Sequence, residues 1–353
     1  MEIKSSVRPR IVISRCIEFD HCRYDGEIIT SNFVRKMRPL VDFLPVCPEV
    51  EIGLGIPRAA ARLIATRREV RLVQPTLARD ITVPMRQFVD RFLSSLGTSG
   101  ALPRADPGSQ SSLVRPGFQV SAPWLPGEVD GFILKRRSPS CGTKEVKLYP
   151  RNARSGASGT GPGIFAAAVM LRFPELPIEN EGRLLNLRLR EHFLTHSYTL
   201  ARFRQVRAAA SVASLVQFHA QHKLLLMAYS QVELRRLGRI VANPEHRPVG
   251  EVLADYRARL NAALSAPPRR PAGINALMHA LGYFKTGLGR REKAFFLSAL
   301  EQYRAGRVPL STPVGILQSW IVRFGQDYLA QQVFFQPFPQ ELVTLTDTGR
   351  GRD

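Results

Sequence analysis

Hydrophobic and polar positions in the first half of the chain alternate between two periods. Three short apolar runs, RIVIS ahead of Cys16, DFLPV ahead of Cys47 and DGFILK ahead of Cys141, predict β-strands. Each gives way to turn chemistry, in RYDG, CPE and SPSCG respectively. Between them SNFVRKMRPLVD and TVPMRQFVDRFLSSL carry the apolar spacing of helices. Strand alternating with helix predicts an open, mostly parallel α/β sheet of Rossmann-like type. After PELPIENEGRL the period becomes helical: LRLREHFLTHSYTLARFRQVR, SVASLVQFHAQHKLLLMAYSQVELRRLGRIVAN, VLADYRARLNAALS and INALMHALGYFKTGLGRREKAFFLSALEQYRAG all predict amphipathic helices. PPRRPAG interrupts them. The boundary is therefore expected near residue 188, with an α/β domain over 1–187, an all-α domain over 188–345 and a tail over 346–353.

Two stretches have no sustained period. Residues 97–128, rich in Gly, Pro and Ser, predict a long surface loop inserted before the strand that leads to Cys141. Residues 151–163, RNARSGASGTGPG, form a second such segment ahead of the helix-like IFAAAVMLRF. A Gly-rich turn before a helix can cradle an anion on backbone N–H groups, and it equally serves as a plain connection.

Charge changes the picture. The 353 residues hold 50 Lys and Arg against 29 Asp and Glu, a formal charge of +21. Such an excess points to a polyanionic partner, with a solvated basic surface as the plainer reading. The amino terminus has charges on both sides of a very short apolar run, unlike a signal peptide. No segment approaches the ~20 apolar residues that cross a bilayer, so a cytoplasmic protein with no membrane partner is expected. Thiols stay reduced there, and the four cysteines suggest metal or catalysis before disulfides.

In open α/β sheets ligands bind beyond the carboxyl ends of the strands. Cys16, Cys47 and Cys141 each follow such an end, so they are expected to meet on one edge. A three-thiolate zinc site is one reading, although no CxxC or other close ligand pair accompanies them. An iron–sulfur cluster with one iron left without a protein ligand is the other. Cys22, six residues past Cys16, reads as a fourth ligand, a resolving thiol or a small buried residue.

SRCIEFDHCRYDG, PVCPEVEIGLGIPR, DGFILKRRSPSCGTKEVKLY and GTGPGIFAAAVM together resemble the motifs of the TudS-type thiouracil desulfidase family over roughly residues 8–180. VQFHAQHKLLLMAYS and the stretch from LGYFKTGLG onward resemble the YbgA-like domain. Their fusion resembles the RudS-type tRNA 4-thiouridine desulfidases. The resemblance implies a 4Fe-4S cluster on Cys16, Cys47 and Cys141, with one non-protein-ligated iron polarising the C=S bond of a thiolated pyrimidine. It implies Glu49 as the base for water and Ser138 as a proton relay or ring contact. Arg23, Asp25 and Arg137 are the implied substrate contacts, and Arg23 with Asp25 could alternatively lock the RYDG turn. The function so implied is conversion of 4-thiouridine in tRNA to uridine with release of hydrosulfide. The alternatives are a desulfidase of free thiouracil or thiouridine, or a metal-binding sensor associated with nucleic acid. Thr160 departs from the family pattern, where a basic residue is common, as does AAARLIA after GIPR.

In the helical half, Lys285, Arg290, Arg291 and Lys293, interleaved with Tyr283 and Phe284, read as a strip for tracking RNA phosphates, or as a solvated helix face. His219, His222 and Lys223 share one helix face, which suits metal or phosphate contact or bonding between helices.

Overall fold

The computed structural model describes residues 7–66, 69–96, 129–150 and 156–343. The expected 97–128 insertion and the 346–353 tail lie outside the described residues. The chain forms two compact units, one centred on Arg8–Leu187 and the other on Arg188–Val343. The first is α/β and the second helical, the class expected from the periodicity.

Along the first unit run β1 (Arg10–Ser14), α1 (Asn32–Met37), β2 (Asp42–Val46), α2 (Pro48–Glu51), β3 (Arg62–Ala65), β4 (Val70–Gln74) and β5 (Arg79–Asp80). They are followed by α3 (Thr82–Ser95), β6 (Gly131–Leu134), β7 (Val146–Pro150), β8 (Gly159–Gly161), α4 (Ile164–Arg172) and β9 (Ile178–Asn180). Strands β2-β1-β6-β9 form a four-stranded sheet, parallel throughout. Ile11, Val12, Ile13, Phe132, Ile133 and Leu134 are wholly buried, because a central parallel strand is covered on both faces. That is why RIVIS and GFIL lack polar alternation. From β1 the chain crosses to β2 on one side and later returns as β6 on the other. The order reverses there, and the crevice beyond these carboxyl ends is where such a sheet takes a ligand.

A second, five-stranded sheet of order β5-β4-β3-β7-β8 is mixed, with only β3 and β7 parallel. The periodicity reading did not contain this sheet. Its strands are short, and the RLIA and VRLVQ strands carry exposed arginines at Arg62 and Arg71, so no apolar run marks them.

The helical unit comprises α5 (Leu187–Ala209), α6 (Val212–Tyr229), α7 (Gln231–Ala242), α8 (Val249–Ala263), α9 (Arg270–Leu281), α10 (Arg290–Arg304), α11 (Ser311–Phe324) and α12 (Asp327–Ala330). The long run expected as one helix over SVASL to RIVAN breaks at Ser230. That residue is extended, and its hydroxyl accepts the Glu233 N–H at 3.3 Å, so it caps α7. Leu225, Leu277, Phe284, Phe296, Leu317 and Trp320 lie in one apolar core. Helix α5 differs from its neighbours, being buried over nine consecutive residues, 193–201, several of them polar. Among the described residues no helix is long and apolar enough to cross a membrane.

Candidate functional site

Cys47 directly follows β2 and starts α2, whose first residue, Pro48, supplies a preset φ. The turn places Glu49 inward, and its carboxylate is held at both oxygens. Ser140 Oγ donates to Oε1 at 2.8 Å. Arg58 approaches Oε2 through Nε at 2.8 Å and Nη2 at 2.6 Å. Arg58 Nη2 also donates to the Cys22 carbonyl at 3.0 Å, so one guanidinium ties the RYDG segment to α2. Both partners of this ion pair are buried. A charge pair out of water persists only with further hydrogen bonds around it, and Ser140 and the Cys22 carbonyl supply them here.

The four thiols are all reduced and buried. Cys22 lies in hydrogen-bonding contact with both Cys16 and Cys47, and the Cys47 thiol also donates to the Cys22 carbonyl at 3.7 Å. Its contact with Cys16, together with burial, pushes the Cys22 thiol up to about 12. The Cys22 contact and burial raise Cys47 as well. Cys141 is raised by burial, an effect opposed by the hydroxyls of Ser14 and Ser138 beside it. The sulfurs of Cys16, Cys22 and Cys47 thus form a chain, and Cys141, beside Ser14 and Ser138, also feels Cys47 and Glu49. Among the described residues no group of three or more His, Cys, Asp or Glu side chains could hold a metal ion. The residues present do not fit a 4Fe-4S cluster. The expected cofactor and iron-dependent chemistry on Cys16, Cys47 and Cys141 are corrected accordingly, as is the zinc reading.

Ser138 accepts the N–H groups of Ser140 at 3.2 Å and Cys141 at 3.1 Å, which fixes the SPSCG turn. The start of α4 docks on this turn. Gly163 N–H donates to Gly142 O at 2.8 Å, Ile164 N–H to Pro139 O at 3.2 Å and Ala166 N–H to Ser140 O at 3.1 Å. Those amides are therefore occupied by the turn, and Gly163 at the start of α4 serves close packing there. A Cβ on Gly163 would stand 2.4 Å from the Ser140 carbonyl oxygen.

Arg23 pairs with Asp25 at 2.8 Å, and Asp25 accepts the Glu27 N–H at 3.1 Å, closing the RYDG turn. Arg137, at a left-handed φ of 58°, is exposed and stands 3.4 Å from Glu145. Three residues of the site were not singled out from sequence: Ser14, Arg58 and Ser140. Two of them lay in view, Arg58 closing the GIPR motif and Ser140 inside SPSCG.

In the helical unit, Lys285, Arg290, Arg291 and Lys293 are exposed. Tyr283 is half-exposed and stacks on Tyr328 with centroids 5.2 Å apart, while Phe284 is buried against Trp320 and Phe324. His219 Nδ1 meets Tyr256 Oη at 3.0 Å, and His222 Nδ1 meets the Phe218 carbonyl at 2.7 Å within the core. His219 thus joins α6 to α8, whereas the His222 bond stays within α6. EHFLTH holds a further pair that the sequence reading missed: His192 and His196, four apart on α5, have ring centroids 5.9 Å apart, and His192 Nδ1 meets Tyr229 Oη at 3.0 Å.

Comparison with known proteins divides the chain in the same sense. Residues 11–103 and 117–181 match the family described as 2-thiouracil desulfurase. Residues 223–339 match one described as a protein of unknown function, DUF1722. The uncharacterized protein YbgA of Escherichia coli (strain K12) is 28% identical over 163 residues, which is 46% of this chain and 86% of that protein. The uncharacterized protein YbbK of Bacillus subtilis (strain 168) is 25% identical over 171 residues, 48% of this chain and 96% of that one. A solved structure, the 4Fe-4S-dependent thiouracil desulfidase TudS, shares 23% identity over 50% of this chain and 93% of its own, with a TM-score of 0.35. The expected iron–sulfur-dependent conversion of 4-thiouridine in tRNA is thus corrected: the thiols do not form a metal-holding group, and the match is to a family described as 2-thiouracil desulfurase, with nothing specific to tRNA. The chain joins a 2-thiouracil-desulfurase-like N-terminal domain to a YbgA-like C-terminal domain.

Proposed function

We propose that the chain is a desulfidase of free thiocarbonyl pyrimidines, of thiouracil or thiouridine type, exchanging the ring sulfur for oxygen. The observation that carries this reading is the buried Arg58–Glu49–Ser140 network, set among reduced thiols beyond the carboxyl ends of β1, β2 and β6. It falls within the residues that match 2-thiouracil desulfurase. Water adds to the thiocarbonyl carbon and gives its proton to Glu49. The sulfur takes that proton back as the C–S bond breaks and leaves as hydrosulfide, while the hydroxyl proton is released to solvent as C=O forms; C=S plus water thus becomes C=O plus hydrosulfide and a proton, with no change of oxidation state. Arg58 and Ser140 hold the carboxylate in place, and Ser138, beside Cys141, relays a proton or contacts the ring. Arg23, Asp25 and Arg137 are assigned to substrate recognition. Lys285, Arg290, Arg291 and Lys293 are assigned to contact with a polyanion. The α/β and helical domains are taken to divide at residues 187 and 188.

The test is to incubate the full chain with 2-thiouracil, 4-thiouracil and 4-thiouridine, following loss of thiocarbonyl absorbance and release of sulfide. Equal amounts of both are expected. Glu49→Gln should lower kcat by at least about 100-fold, within the range typical for loss of a general base. Near-normal turnover in that variant removes Glu49 from the mechanism, and no sulfide from any of the three substrates overturns the reading.

A further inference from the structure

Helices α7 and α8 border an open cleft of about 440 Å³. Arg236, Arg239 and Ile240 line it from α7, and Asp255, Ala258 and Arg259 from α8. In each helix the three positions are spaced by three and four, so each set occupies one face. The acidic groups nearby already have partners. Glu233 pairs with Arg236 at 2.6 Å, with Arg259 at 3.9 Å, and Asp255 pairs with Arg247 at 2.5 Å. The Arg239 guanidinium has no ion-pair or hydrogen-bond partner among the described residues. Three guanidinium groups therefore border one concavity in which the carboxylate is satisfied from outside, and Ile240 with Ala258 supplies an apolar wall.

We propose that this cleft binds a phosphate group, carried either by a small molecule or by a phosphodiester chain. Planar guanidinium forks match phosphate oxygens in geometry as well as in charge, and they are less strongly hydrated than ammonium groups. The volume falls in the range of small-ligand sites. The site lies in the helical unit and is independent of the desulfidase reading.

The full chain is titrated with sodium tripolyphosphate by calorimetry, and with a fluorescein-labelled uridine oligonucleotide of about twelve residues by anisotropy, at low and moderate salt. Arg239→Gln should leave the melting temperature unchanged, because Arg239 has no protein partner to lose, while weakening tripolyphosphate binding about tenfold, the order of one charge-assisted contact. Arg239→Glu should abolish binding. If the oligonucleotide loses affinity in parallel and its salt dependence becomes shallower, the phosphate is that of a chain. If only tripolyphosphate is affected, it belongs to a small molecule. Unchanged tripolyphosphate affinity in both Arg239 variants overturns the proposal, as does failure of the wild type to bind either probe.

Discussion

At Arg58 one side chain links three pieces of backbone that are far apart in sequence. Its fork reaches the Glu49 carboxylate and the Cys22 carbonyl together, and Ser140 closes the other side of the same carboxylate. Removing the cation strands a buried anion, which costs about 3–5 kcal/mol in comparable pairs. Arg58→Met should therefore lower the urea midpoint strongly. Adding Glu49→Gln in the same chain should recover much of that loss, since the stranded charge is then gone. A fully additive double variant would show that the two side chains do not interact. The cysteines were legible from sequence as residues following strand ends. Arg58 was not, because only the fold of the intervening GLGIP segment brings it back onto Glu49. Nor does sequence give the direction of a side chain, and so the interposition of Cys22 between Cys16 and Cys47 could not be foreseen.

At the scale of elements, the seat of α4 on the SPSCG turn is set by a missing side chain. Gly163→Ala forces a methyl group into the Ser140 carbonyl, and neither partner is a flexible chain end that can give way. We expect a loss of about 1–3 kcal/mol, the usual cost of overpacking, together with reduced turnover as the turn carrying Ser138 and Ser140 shifts. Gly159→Ala on β8, with open space around its Cβ position, should be neutral in both assays. Equal effects at the two glycines in chemical denaturation would refute the docking account. Strands β1, β2 and β6 were readable because burial on both faces leaves a continuous apolar run. Strands β3, β4, β7 and β8 were hidden by short length and half-exposed arginine, lysine and glycine positions. Helix α11 was also missed, since Pro313 and Gly315 near its start resemble loop chemistry although proline is tolerated in a first turn.

For the molecule as a whole, the expected response to acid lies in the helical unit. Burial lowers His192 to about 4, with Arg188 nearby, and lowers His196 and His222 to about 3, next to His192 and Arg202 respectively. The folded unit therefore binds fewer protons than the unfolded chain below the ordinary histidine value near 6.5. Stability is fully present above that value and declines as pH falls toward 4 and then 3, by about 1.4 kcal/mol per pH unit for each histidine. Trp320 lies buried in this unit and reports its melting, once Trp124 is replaced by Phe. The Trp320 transition should fall between pH 7 and pH 5, and His222→Gln should make the fall shallower. A flat midpoint over that interval would show that these rings are not held neutral by burial.

Helix α5 adds a constraint on the order of events during synthesis. Its rings and cation meet Phe218, Tyr229, Tyr256 and the Pro337 carbonyl, all of which leave the ribosome after it does. The segment that becomes innermost is thus made before the residues that cover it: its rings wait for Phe218, Tyr229 and Tyr256, and Arg202 waits in water until Pro337 arrives. A chaperone or a pause in translation that shelters residues 187–209 would act at the one stage when this helix has a surface.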